Sequence, residues 1–153
     1  MRLAEALILR ADAQKRLDQL KQRLLRNAKV QEGDAPAENP VDLIAEVDRV
    51  ATDLTRLIQQ INRTNAASAL TDGTTVSDAL ARRDVLARLH AVYRDLAATA
   101  TVDQTRYSRS EVKFVSTVDV AATQRRADDL ARQHRELDAA IQASNWSLDL
   151  LEQ

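Results

Sequence analysis

The chain has no cysteine, two glycines, two prolines and 3% aromatic residues in 153 positions. Each scarcity excludes something. Without cysteine there are no disulfides and no thiolate metal sites. Glycine and proline make tight turns, and aromatic and β-branched residues fill strands, so their shortage excludes a fold of many strands or long loops. Charge of one sign is lacking too: 22 basic residues stand against 23 acidic ones, so neither nucleic acid nor an anionic membrane is attracted in general. No run approaches the roughly 18–20 apolar residues of a membrane span. The apolar run at residues 6–9 is short and sits between Glu5 and Arg10, unlike a secretory leader. A cytoplasmic protein with a single domain over residues 1–153 is expected.

What is abundant is Ala, Leu, Arg, Gln and Asp, most of which helices tolerate well. Apolar residues recur in alternating three- and four-residue steps, the signature of a heptad seam. The first seam is Leu3, Ala6, Arg10, Ala13, Leu17, Leu20 and Leu24, with Arg10 its polar exception; the helix fades near Val30. A linker at residues 31–40 holds both prolines and one glycine. Asn39-Pro40 restarts the chain as an N-cap followed by a first-turn proline. Leu43, Val47, Val50, Leu54, Leu57 and Ile61 then form the cleanest seam, widened by Ile44 and Ile58. Leu70-Thr71-Asp72-Gly73-Thr74-Thr75-Val76 reads either as a tight β-like turn or as a plain helix–helix turn. The third seam is Ala79, Arg82, Leu86, Leu89, Tyr93, Leu96 and Ala100, again with one arginine.

Residues 101–117 break the helical pattern, and residues 112–118 have strand composition. Asp119 caps a last helix whose seam is Leu130, His134, Leu137, Ile141, Ser144, Leu148 and Leu151. The predicted fold is therefore all-α: four long antiparallel helices in an up-down-up-down bundle, coiled-coil-like in its seams, with a small β-like element near 69–76 and 112–118. The connection at 102–118 is too long for a simple turn, which predicts structure of its own or a binding role.

The two seam arginines are the most informative residues. Arg10 and Arg82 each lie about seven residues into a helix starting at the same end of the expected bundle, which places them in one layer. Asn62, Asn65, Ser144 and Asn145 would reach that layer from the other helices, and Glu5, Asp78 and Asp84 would supply carboxylates. A buried guanidinium must be paired or it costs several kcal/mol, on the order of an unpaired buried ion. The layer is then either structural, fixing helix register, or an anion pocket for a phosphate or carboxylate.

Arg106, Tyr107, Arg109, Lys113 and Phe114 form a second candidate, a contact loop. Their mix of basic and aromatic residues resembles a grip for single strands, diluted by Asp103 and Glu111, so nucleic acid is disfavoured as a partner. His134 reads as a core histidine. No Glu-x-x-His pair exists for a di-metal centre, so no metal and no cofactor are expected. The basic outer face of the first helix (Lys15, Arg16, Lys21, Arg23, Arg26, Lys29) complements the acidic start of the second (Asp42, Glu46, Asp48, Asp53) as solvated neighbours.

Several segments together carry a family resemblance: residues 3–12 (LAEALILRAD), 27–33 (NAKVQEG), 61–65 (INRTN), 72–75 (DGTT), 79–84 (ALARRD) and 106–118 (RYSRSEVKFVSTV). The chain resembles a family of small bacterial proteins of unknown function, many labelled "septicolysin". The resemblance spans nearly the whole chain and brings no catalytic residues. Its label implies a cytolysin, yet neither an export signal nor a membrane-inserting apolar surface is visible. The expected role is a non-enzymatic homo-oligomer, since Ile8, Ile44, Ile58, Val85 and Val92 lie beside the seams and suit a second interface. The alternatives are a binder or enzyme for a small anionic ligand at the Arg10 and Arg82 layer and, disfavoured, a cytolysin.

Overall fold

A computed structural model describes residues 1–102 and 113–152. Its described residues form four α-helices and no sheet: α1 (Leu3–Asn27), α2 (Pro40–Ala67), α3 (Val76–Ala100) and α4 (Val120–Ser147). The all-α expectation holds. The chain clusters into two compact units, Met1–Thr75 with Gln142–Gln153, and Val76–Ile141. Each is described by itself.

In the first unit α1 and α2 pair antiparallel. Two ion pairs show it, because Arg16 meets Glu46 and Arg23 meets Glu38: as numbering rises on one helix it falls on its neighbour. The heptad seams predict the buried faces well. Leu3, Ala6, Leu20, Leu43 and Ile61 are buried, and the remaining seam positions of α1 and α2 are half-buried. Asn39 caps α2, its Oδ1 accepting from Val41 N at 3.0 Å, with Pro40 in the first turn. The linker is tied to the end of α1 by the buried Asn27. Its Oδ1 accepts from Glu38 N at 3.0 Å and its Nδ2 donates to Arg23 O at 2.9 Å. One amide thus satisfies a last-turn carbonyl and fixes where the chain returns.

The last seam is shorter than predicted. α4 stops at Ser147, and Leu148 and Leu151 do not continue it. Instead the tail runs antiparallel to the N-terminus: Leu3 N donates to Leu148 O and Leu150 N to Met1 O, both at 2.9 Å, around an Arg2–Asp149 bridge. The cause is local satisfaction of backbone groups. The first N–H groups of α1 have no intrahelical acceptor, and the tail carbonyl supplies one. Leu150 then joins Leu3, Ala6 and Ile61 in a core flanked by Leu7, Leu57 and Leu148.

The 69–76 element is a turn with one isolated Ala69–Thr75 bridge. Gly73 N donates to Leu70 O at 3.0 Å and Leu70 N to Thr74 O at 2.8 Å. Gly73 has φ +85°, a conformation that side-chain-bearing residues rarely adopt. Of the expected strand at 112–118, the described part (113–118) forms none, and no bridge joins it to the 69–76 turn among the described residues. Ser116 bends the backbone instead, its Oγ donating to Val118 O at 2.8 Å. Strand composition does not make a strand where no neighbouring edge accepts it.

In the second unit α3 and α4 also pair antiparallel: Arg83 Nη1 donates to Asp138 Oδ1 at 3.1 Å, and the Arg126 guanidinium lies 5.9 Å from the Tyr93 ring centroid. Here the predicted seam is half right. Ala79 and Leu86 are buried and Tyr93 and Ala100 half-buried, as expected, but Arg82, Leu89 and Leu96 are exposed. The inward positions are one residue further on: Arg83, His90 and Ala97. Helix α3 has two flanks beside the same centre line, one with Arg82, Leu89 and Leu96 and one with Arg83, His90 and Ala97, and Leu89 and Leu96 outweigh His90 and Ala97 in any reading by hydrophobicity. The packed flank is the one with small and polar side chains, from which Arg83 reaches Asp138 of α4.

Candidate functional site

Arg10 remains a seam residue in the structure. It is half-buried, and its Nε is buried with no hydrogen-bond partner. An unsatisfied buried donor costs about 1–3 kcal/mol. Its expected partners are placed otherwise. Glu5 is exposed and spends its carboxylate on the helix start, Oε2 accepting from Arg2 N at 2.7 Å, the backward half of a capping box. Asn62 is exposed, Asn65 half-buried and Asn145 buried. All of these belong to the first unit.

Arg82 and Asp84 belong to the second unit and are exposed. Arg82 is therefore no buried-seam exception. That position is filled by Arg83, which holds Asp138 across the helix pair and reaches Asp84 at 3.2 Å. The slip follows from the flank error on α3: taking Leu89 and Leu96 as inward brings Arg82 in with them. Arg106, Tyr107 and Arg109 lie outside the described residues, whereas Lys113 is exposed. His134 and His90 are half-buried.

Sequence reasoning missed Thr64. It is fully buried, its hydroxyl donating to Gln60 O at 2.8 Å and accepting from Leu151 N at 2.9 Å. This hydroxyl ties the C-terminal tail to α2. Its only sequence signal is a small hydroxyl residue three positions past Ile61 on the buried face.

The electrostatics concentrate between α1 and α2. The hydrogen bond from Arg16 holds the Glu46 carboxyl below the usual carboxylate range, and that from Arg23 does the same to Glu38, with burial opposing both. In the second unit Asp129 is lowered by hydrogen bonds from Arg132 and Gln133. The basic and acidic faces of α1 and α2 are thus neighbouring, partly solvated surfaces, as the sequence suggests.

One exposed feature is apolar. Along α3, Val85 (54% exposed), Leu89 (38%), Val92 (60%) and Leu96 (40%) lie at steps of four, three and four residues and form one stripe. Ile8, Ile44, Val85 and Val92, the side chains expected beside the seams, are all exposed, and Ile58 is half-buried. A cavity of about 450 Å³ adjoins the stripe's end, where Leu96 and Ala100 meet Phe114, Val115 and Val118. No helix among the described residues is long and apolar enough to cross a membrane.

The profile of a family of unknown function, DUF6847, matches residues 10–150. A crystal structure of a functionally unknown conserved protein from Corynebacterium diphtheriae is similar at 46% identity, covering 99% of each chain with a TM-score of 0.91. No curated protein matches. The cytolysin label implied by the resemblance finds no support in these matches, which carry only descriptions of unknown function.

Proposed function

We propose that this chain, which belongs to the DUF6847 family of unknown function, is a cytoplasmic, non-enzymatic homo-oligomer whose role is carried by the surface it assembles. The observation behind this reading is the α3 stripe. Val85, Leu89, Val92 and Leu96 are large, apolar, exposed and aligned on one helix face. Single exposed apolar residues are ordinary, but a contiguous row marks an interaction surface. Sedimentation equilibrium over a wide concentration range tests it. A mass above 17.0 kDa that falls on dilution is expected; one protomer's mass at every concentration contradicts it.

Arg10 favours a second reading, a small-anion binder. Its buried, unpartnered Nε is a donor that a phosphate or carboxylate would satisfy. Thermal unfolding across phosphates, nucleotides and carboxylates separates the two. An anion-dependent rise in melting temperature that Arg10→Leu abolishes supports the binder, and no shift with any anion removes it.

A further inference from the structure

The α3 stripe is spaced so that a second copy of itself can cover it. Val85 and Leu96 are equidistant from the midpoint of residues 90 and 91, and so are Leu89 and Val92. Turning a second copy of α3 antiparallel about that midpoint lays Val85 on the partner's Leu96 and Leu89 on the partner's Val92, so the stripe covers itself. An isologous contact requires this kind of self-complementarity.

The charges beside the stripe agree with that register. One flank is closed, because Leu86 is buried and Tyr93 half-buried against α4. The open flank carries Arg88 and Asp95, one heptad apart and both exposed. In an antiparallel pair the residues on this flank face their own kind, so Arg88 meets the partner's Asp95 and Asp95 the partner's Arg88. Arg88 forms no ion pair among the described residues; Asp95 uses Oδ1 for Arg94 at 2.9 Å. A parallel, in-register pair would set each of these charges beside the half-buried tyrosine flank instead.

We propose that two copies of this chain associate through α3, antiparallel about a twofold axis between residues 90 and 91, with Arg88 and Asp95 exchanging ion pairs across the axis. This rests on the homo-oligomer reading and specifies its interface. The register also sets Arg82 opposite the partner's Thr99 at the end of the stripe, where an exposed guanidinium stays solvated.

The test is charge reversal at low ionic strength, where exposed pairs are least screened. Arg88→Asp and Asp95→Arg each place two like-charge pairs across the axis. Each alone is expected to weaken dimerisation about tenfold, the scale of two repulsive contacts replacing two attractive ones. Mixing the two variants is expected to restore wild-type affinity in the mixed dimer, since one pair re-forms with reversed polarity and the other keeps its native polarity. Circular dichroism checks that each variant keeps wild-type helicity, and both sites are exposed. A wild-type dimer that neither reversal weakens, or a mixture no tighter than the separate variants, overturns the α3 interface while leaving self-assembly standing. A wild-type chain that stays monomeric overturns both.

Discussion

The two helix pairs bury their apolar residues differently. In the first unit the richest apolar faces of α1 and α2 meet each other, and the chain's ends add Leu148 and Leu150 to the same core. A linker clamp at Asn27 and a tail clamp at Thr64 hold both ends of that arrangement. In the second unit α3 turns its small and polar flank to α4, with Ala79, Ala97 and Ala127 buried and Arg83 reaching Asp138. Val85, Leu89, Val92 and Leu96 remain outside, while Leu86 is buried and Tyr93 half-buried. Both pairs leave apolar side chains outside, among them Ile8, Leu9 and Ile44 on the first, but the second sets Val85, Leu89, Val92 and Leu96 in one row on one helix.

The largest effect expected from breaking this contrast lies in the first core. Ile61→Ala removes a fully buried side chain that touches residues from both ends of the chain. It should cost about 2–5 kcal/mol in denaturant unfolding. Next comes Thr64→Val, which keeps the shape and removes the acceptor for Leu151 N. Stranding that donor should cost about 1–3 kcal/mol, and hydrogen exchange should show the tail loosening first.

How much of this was legible in the sequence follows from the same contrast. Seams on α1 and α2 can be read because their apolar residues hold one heptad register that the packing follows, and because Asn39-Pro40 marks where the second begins. On α3 two stripes share Ala79, Leu86, Tyr93 and Ala100, and hydrophobicity alone favoured the outer one. That reading carries Arg82 inward and hides Arg83. The tail was misread for another reason: Leu148 and Leu151 fit the helical period, while the partners that stop the helix, Met1 and Leu3, come from the opposite end of the chain. Long-range hydrogen bonds of this kind leave no local trace. Of the residues expected in the polar layer, Arg10 lies half-buried on its seam, whereas Glu5, one of the three candidate carboxylates, is drawn to the helix start.

Smaller effects sharpen the comparison. A double-mutant cycle on Arg83→Ala and Asp138→Ala should give a coupling of about 0.2–1 kcal/mol, because both side chains keep contact with water. Acid should weaken the α1–α2 pair. Glu38 and Glu46 have folded-state pKa values below the usual carboxylate range, so their contribution is complete above the unfolded value of about 4.3 and is lost as pH falls through the depressed one. Melting temperature should therefore drop in that acid window, and the drop should shrink in Glu38→Gln/Glu46→Gln.

The most direct measurement of the central claim is light-scattering mass on wild type and Val92→Arg, run side by side at the same concentrations. Val92 is 60% exposed, so an arginine there leaves the α3–α4 packing alone and puts a charge in the middle of the stripe. A wild-type mass near twice 17.0 kDa, with the variant near 17.0 kDa and equally helical, is the predicted result. Identical masses for the two would contradict the claim that α3's outer face drives assembly.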